Sequence, residues 1–337
     1  MKKVAINGFG RIGRLIFRLL QGDENLEVVA INDLTDAEQL AYLLKYDTSH
    51  RNYMPDKISY DNDYIIVDGK KIKIFSEKDP KNLPWQELDI DLVFECTGIF
   101  RSKEKAMAHI EAGAKKVIIS APAKGNEKVK TIVYNVNHDI LDGSEEVISA
   151  ASCTTNCLAP VVNLLDKHFG VKKGYMTTVH AYTNDQSILD LPHKKGANSR
   201  RGRAAAANII PSSTGAASAI GLVIPKLNGK LDGTALRVPT TTGSIVDLTV
   251  ELEKKVSVEE VNEMFKENQN ETIAFTMDPI VSSDIIGSHL GALVDGQLTN
   301  VLDVDGKQLV KVMAWYDNEM GYSAQMVRVA KHLLSLK

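Results

Sequence analysis

The chain has 337 residues, of which 44% are hydrophobic and 25% charged, with a net charge of −3. That length exceeds one typical core and suits two domains, and the composition is that of an ordinary globular protein. Three cysteines (Cys96, Cys153, Cys157) exclude a disulfide framework and read as reduced thiols, which points to an intracellular, cytoplasmic protein. Lys2 and Lys3 precede only Val4-Ala5-Ile6, too short for a signal-peptide core, and no window is apolar enough to span a bilayer.

The first half alternates strands and helices. Val4–Ile6 is a short buried strand, followed by helical spacing through Ile12, Leu15, Ile16, Leu19 and Leu20 and a stop at Gly22. Val28–Ile31 is the next strand, and Thr35 with Glu38 predicts a capping box for the helix carrying Leu40, Ala41 and Leu44. A hairpin turning at Asp68-Gly69 joins Tyr64–Val67 to Ile72–Phe75. The strand Leu92–Phe94, a helix ending near Gly113 and the strand Val117–Ile119 complete a pattern that implies a doubly wound, Rossmann-type parallel sheet.

Gly8-Phe9-Gly10-Arg11-Ile12-Gly13 follows the first strand directly and opens the first helix. Glycines there permit a tight turn and let a pyrophosphate approach backbone N–H groups at a helix N-terminus. Asp33 ends the second strand about 20 residues after the last glycine, the position of a carboxylate that bonds a ribose 2′-OH. Such a carboxylate repels a 2′-phosphate, so NAD is expected rather than NADP. Ser120 lies at the ligand-binding edge of the same sheet.

Ser152-Cys153-Thr154-Thr155-Asn156-Cys157 precedes the helical spacing of Leu158, Val161, Val162 and Leu165. Cys153 therefore sits at a helix start, where free N–H groups and the dipole favour thiolate, making it a candidate covalent nucleophile. Cys157 and Cys96 read as small buried residues. Beyond the helix the pattern turns β-rich (Tyr175–Tyr182, Ser244–Leu252, Gly291–Val294, Gln308–Trp315, the last after an Asp305-Gly306 turn). One helix begins near Ser257 and another runs over Met320–Leu336, so the second half is expected to be an α+β domain with a mixed or antiparallel sheet. His180, in a strand, gains a role as base only by proximity to Cys153. The basic run His193-Lys194-Lys195 with Arg200, Arg201 and Arg203 has no interleaved aromatics, which argues for a small anion over nucleic acid as its partner. Ser212-Ser213-Thr214-Gly215 is expected to help through hydroxyls and a flexible backbone.

Taken together, Asn7–Arg14, Ala151–Cys157, Thr178–Thr183, Asp190–His193, Pro211–Gly215, Leu236–Pro239 and Trp315–Glu319 make the chain resemble the phosphorylating glyceraldehyde-3-phosphate dehydrogenases over its whole length. The resemblance implies an NAD-binding domain over 1–151, a catalytic domain over 152–316, and a C-terminal helix over 317–337 that returns to the first. It implies oxidation of glyceraldehyde 3-phosphate with inorganic phosphate to 1,3-bisphosphoglycerate, in glycolysis, by a homotetramer without a metal. Cys153 would be the nucleophile and His180 the base. Gly8, Gly10, Arg11, Ile12, Asp33, Lys78, Ser120 and Asn318 would contact NAD. Ser152, Thr154, Thr183, Arg201, Thr214, Gly215 and Arg237 would bind the two phosphates, with Arg200 and Arg203 open as alternatives to Arg201. Lys78 stands where many members carry arginine, and the segment Lys195–Ser199 is about three residues longer than the family pattern. Rival readings are an erythrose-4-phosphate dehydrogenase, a cysteine hydrolase, and a binding protein working through the basic loop.

Overall fold

The computed structural model describes residues 1–194 and 196–336; Lys195 of the basic run and Lys337 lie outside the described residues. The chain divides into two compact units, Met1–Ser152 with Ser323–Lys337, and Cys153–Tyr322.

The first unit contains β1 (Lys2–Asn7), α1 (Arg11–Leu20), β2 (Leu26–Asn32), α2 (Ala37–Lys45), β3 (Ile58–Asp61), β4 (Tyr64–Val67), β5 (Lys70–Phe75), β6 (Leu92–Glu95), α3 (Lys103–Glu111), β7 (Val117–Ile119), β8 (Lys130–Thr131) and β9 (Val147–Ser149). They form one sheet in the order β3-β4-β5-β2-β1-β6-β7-β9-β8. All pairings are parallel except the antiparallel β3·β4 and β4·β5. Central strands are covered on both faces, so they are continuous apolar runs: Val4, Ala5, Ile6, Val93, Phe94, Val117 and Ile118 are buried. Asp68 and Gly69 both take positive φ (49° and 80°), as the right-handed twist of a two-residue hairpin requires.

The expected Thr35/Glu38 capping box does not form. Asp36 caps α2 instead, its carboxylate accepting from Gln39 N at 2.9 Å and from the Gln39 amide. A charged acceptor one residue further on competes successfully with the hydroxyl.

The second unit holds α4 (Cys153–Phe169), β10 (Val171–Ala181), β11 (Ile210–Ser213), α5 (Ala216–Val223), β12 (Leu231–Val238), β13 (Ser244–Leu252), α6 (Val258–Glu267), β14 (Ile273–Thr276), β15 (Ala292–Val304) and β16 (Lys307–Tyr316). The final helix α7 (Met320–Ser335) begins in this unit and ends in the first. The sheet order is β11-β12-β10-β13-β16-β15-β14, mixed because β10·β12 and β14·β15 are parallel. Leu158, Val161, Val162 and Leu165 of α4 are buried against this sheet, and Cys157 aims its thiol at the Ala314 carbonyl at 3.7 Å. Ser257 and Glu260 form a complete capping box on α6. β15 runs ten residues beyond the short strand read around Gly291–Val294, because Leu302 and Val304 alternate with polar residues on an exposed hairpin.

Gly113 follows α3 with φ +103°, and a Cβ there would lie 2.3 Å from Gln86 Cβ and 2.7 Å from Gln86 N. Left-handed strain and a clash with backbone act together, so Gly113→Ala is expected to cost roughly 2–4 kcal/mol. Chemical denaturation of the two proteins checks this as a lower midpoint at unchanged slope.

Candidate active site

The chain enters α4 through Ala151, a non-glycine residue at φ +58°, whose N–H bonds Ser149 Oγ at 3.1 Å. This sharp turn makes Cys153 the first helical residue, half-buried. His180 lies near the end of β10 and is buried, with its Nε2 3.3 Å from Cys153 Sγ. Its Nδ1 lies 2.7 Å from the Ala181 carbonyl, which can only accept. The hydrogen of the neutral ring therefore sits on Nδ1, and Nε2 presents a lone pair to the thiol.

Tyr316 locks this arrangement. Its hydroxyl bonds Thr178 Oγ1 at 2.7 Å and Thr154 Oγ1 at 3.0 Å, and its ring meets the His180 ring edge-on, with centroids 6.0 Å apart. The Thr154 hydroxyl is thus shared between Tyr316 and the Cys153 sulfur.

The expected preference for thiolate is not what the resting site shows. Burial pushes the Cys153 thiol above its ordinary value, although Arg237 and hydrogen bonds from Thr154 work the other way. Burial, and then the charge of Arg237, pull His180 down to about 3. Desolvation outweighs the helix terminus, so burial opposes charge on either group taken alone.

Arg237 stands beside His180 in the parallel β10·β12 register. Its Nη1 donates to Thr183 Oγ1 at 2.8 Å and to Ala181 O at 3.3 Å, while its buried Nε has no partner. Thr183 in turn bonds the Asp185 carboxylate, which also pairs with Arg201. Although burial opposes it, hydrogen bonds from Thr183 and Arg201 hold the Asp185 carboxyl below its ordinary range. Two half-buried guanidiniums are thus linked through one threonine and one carboxylate, a concentration of positive charge that suits a phosphate dianion. Arg203 is instead paired with Asp190 and exposed, and Arg200 is exposed.

Thr214 and Gly215 stand at the start of α5, with Thr214 Oγ1 accepting from Ala216 N at 3.2 Å. The run before them is not flexible: Ser212 and Ser213 belong to β11 and pair with Ala235 and Thr234. Asn318 Oδ1 accepts from Ser244 Oγ at 2.8 Å and Gly243 N at 3.2 Å, which leaves the amide N–H₂ as the half able to donate outward. Asp317 holds that segment still, accepting from Thr242 Oγ1, Gly287 N, Glu319 N and Met320 N. Asp185, Asp317 and Tyr316 were missed in the sequence, where only the Trp315–Glu319 run pointed to the last two.

In the first unit the three glycines have separate duties. A Cβ on Gly8 would lie 2.8 Å from Thr97 N, and one on Gly13 would lie 2.2 Å from Gly8 O. One on Gly10 would meet nothing within 4 Å. Gly8 makes the turn and Gly13 the helix–strand contact, while Gly10 faces open space at the start of α1, which no side chain caps. That is the cradle a pyrophosphate requires, and the residues fit a dinucleotide. Asp33 accepts from Phe9 N at 2.7 Å, so the carboxylate expected at the ribose also pins the glycine turn. The guanidinium of Arg11 pairs with Asp47 and lies 3.2 Å from His50 Nδ1, so only its main chain, like that of Ile12, faces the turn. Ser120 donates its N–H to Glu95 O beyond β7, and Lys78 is exposed after the Glu77 segment.

Comparison with known proteins agrees. Residues 2–103 match the family model described as glyceraldehyde 3-phosphate dehydrogenase, NAD binding domain, and residues 152–318 match its C-terminal domain. A protein of Clostridium pasteurianum named glyceraldehyde-3-phosphate dehydrogenase is 58% identical over 336 residues, covering 100% of this chain and 99% of its own. One of the same name from Streptococcus pyogenes is 56% identical over 335 residues, covering 99% and 98%. The chain belongs to the glyceraldehyde-3-phosphate dehydrogenase family.

Proposed function

We propose that this chain carries out the NAD-dependent oxidative phosphorylation of glyceraldehyde 3-phosphate to 1,3-bisphosphoglycerate, with Cys153 as nucleophile and His180 as general acid–base. The observation that carries the reading is the 3.3 Å approach of Sγ to an imidazole nitrogen whose lone pair is fixed toward it. Cys153 Sγ forms a bond to the aldehyde carbon while its proton passes to His180 Nε2. That nitrogen returns the proton to the carbonyl oxygen, giving a hemithioacetal. NAD, when bound, supplies the hydride acceptor that takes this adduct to the thioester. As the carbonyl re-forms, His180 Nε2 takes the hydroxyl proton. A phosphate oxygen then attacks the thioester carbon, and the cysteine sulfur leaves with the electron pair. The imidazolium is charged only while thiolate or oxyanion stands beside it, so the attraction between the two charges offsets part of the burial penalty that each would carry alone.

The same reading gives Asp33, Ser120, the turn at Gly8 and Gly10, the Arg11 and Ile12 main chain, Lys78 and Asn318 to NAD. Arg201, Arg237, Thr183, Ser152, Thr154, Thr214 and Gly215 fall to the substrate phosphate and inorganic phosphate. The residue divisions 1–151 and 152–316 as cofactor and catalytic domains, a homotetramer and a cytoplasmic location belong to this reading as well. It is supported by the names and full-length coverage of the relatives, which do not favour erythrose 4-phosphate as substrate. No helix among the described residues is long and apolar enough to cross a membrane. NADH absorbance with glyceraldehyde 3-phosphate, with and without phosphate, tests the reading: no phosphate-dependent NADH would refute it.

Cys153→Ala is expected to abolish acyl-enzyme and turnover while leaving NAD binding intact, checked by intact mass after substrate and by NAD titration. His180→Asn should lower kcat by about 10²–10⁴ and slow alkylation of Cys153 by iodoacetamide. The unfolded histidine takes a proton near pH 6.5 and the buried one only near 3, so the unfolded state binds more protons between them. Stability is therefore lost as pH falls through that window, and His180→Asn should flatten this slope of Tm against pH. Arg201→Ala should raise the KM of the phosphate-bearing substrate about 10- to 100-fold, whereas Arg203→Ala should leave it within twofold; the reverse order would move the ligand to Arg203.

A further inference from the structure

A buried polar cluster in the first unit plays no part in the chemistry above. His109 of α3 is fully buried, and Trp85 Nε1 donates to its Nδ1 at 3.0 Å. An indole N–H can only donate, so Nδ1 accepts and the ring hydrogen lies on Nε2. Nε2 is 3.1 Å from Glu95 Oε2, to which Asn7 Nδ2 also donates at 2.6 Å. Oε1 of the same carboxylate takes Thr97 N at 2.8 Å and the Thr97 hydroxyl. Asn7 Oδ1 accepts from Asn32 Nδ2 at 2.7 Å, and Asn32 makes paired bonds with the main chain of Glu77, at 2.9 Å each way.

These groups connect the carboxyl ends of β1, β2 and β6 and the segment after β5. Asn7 precedes Gly8 directly, Asn32 precedes Asp33, and Glu77 precedes Lys78. Thr97 N is the atom that Gly8 abuts, 2.8 Å from where a Cβ would stand. Every segment of this unit expected to touch the dinucleotide, Ser120 aside, is one residue from the cluster. His109 is its helical member and, among the described residues, the side chain that joins Glu95 to Trp85.

We propose that His109 is a positioning residue for the dinucleotide: Trp85 selects its tautomer, and its Nε2–H holds Glu95 so that Asn7 and Thr97 keep the glycine turn at binding geometry. This rests on the turn at Gly8 and Gly10 being the seat of NAD. His109 touches neither cofactor nor substrate, so its effect falls on NAD affinity and not on chemistry.

The test compares His109→Phe, His109→Gln and Thr97→Val in the full-length enzyme, reading NAD affinity by calorimetry, kcat at saturating NAD, and thermal midpoint. His109→Phe should weaken NAD binding about tenfold, with kcat within twofold and iodoacetamide alkylation of Cys153 in the NAD-free enzyme unchanged. His109→Gln keeps an N–H for Glu95 and a carbonyl for Trp85, and should recover most of the affinity. Thr97→Val removes one donor from the same carboxylate without opening the core. It should give the same affinity-only defect, and it carries the test if His109→Phe does not fold. Wild-type affinity in folded His109→Phe or in Thr97→Val overturns the proposal, as does equal weakening in the Phe and Gln variants that tracks lost thermal stability. Gly10→Val separates the two levels. If it loses NAD while His109→Phe does not, only the positioning role fails; if it retains NAD, the seat itself is wrong and the proposal falls with it.

Discussion

The hydrogen bond from His180 Nδ1 to the Ala181 carbonyl decides what the His180 ring can offer Cys153. With Nδ1 occupied by an acceptor, the opposite nitrogen must offer a lone pair, and Cys153 Sγ is the atom it faces. No carboxylate is needed to set this tautomer; a main-chain carbonyl at the end of β10 suffices. Tyr316 packs edge-on against that ring. Thr178, two residues back on the same face of β10, and Thr154 on the first turn of α4 are joined through Tyr316. One phenol therefore ties the His180 strand to the helix that starts at Cys153.

The polar groups beneath the glycine turn and those around His180 are engaged to different degrees. Beneath the glycine turn the Asn7, Asn32, Glu95 and His109 side chains are engaged with one another, which favours one rigid loop geometry. Around His180 some donors are left over: Arg237 Nε has no partner, and Asn318 has its carbonyl saturated while its amide N–H₂ remains. An unpaired buried donor costs stability, and Arg237 Nε carries that cost beside His180.

Much of this was legible in the sequence wherever one local rule acted alone. Strands β4, β7 and β13 emerged at the observed bounds because apolar periodicity and turn residues agreed. The helix start at Cys153 and the glycine turn were readable because each motif carries its own geometry, whereas His180 stood out only through its expected nearness to Cys153. What escaped was set by competition or by distance in the chain. Asp36 displaced Thr35 as cap because a carboxylate outcompetes a hydroxyl. Strands β11 and β12 were missed because they are short or interrupted by glycine and gain their stability from pairing with each other and with β10. The roles of Asp185 and Tyr316 arise from partners 16 and 162 residues away, which no local pattern encodes.

The three thiols show why charge alone does not mark the reactive one. Burial raises all three, Cys153 included. Cys157 spends its weak donor on the Ala314 carbonyl, an acceptor that can never take the proton away. Cys96 sits beside the Glu95 carboxylate, whose charge opposes thiolate and whose oxygens are already filled by Asn7, Thr97 and His109. Cys153 alone faces a lone pair on a neutral imidazole, with a guanidinium whose charge favours the anion. Reactivity here is a matter of where the proton can go, and a thiol with a raised resting value still reacts when the acceptor and the new negative charge appear in the same step.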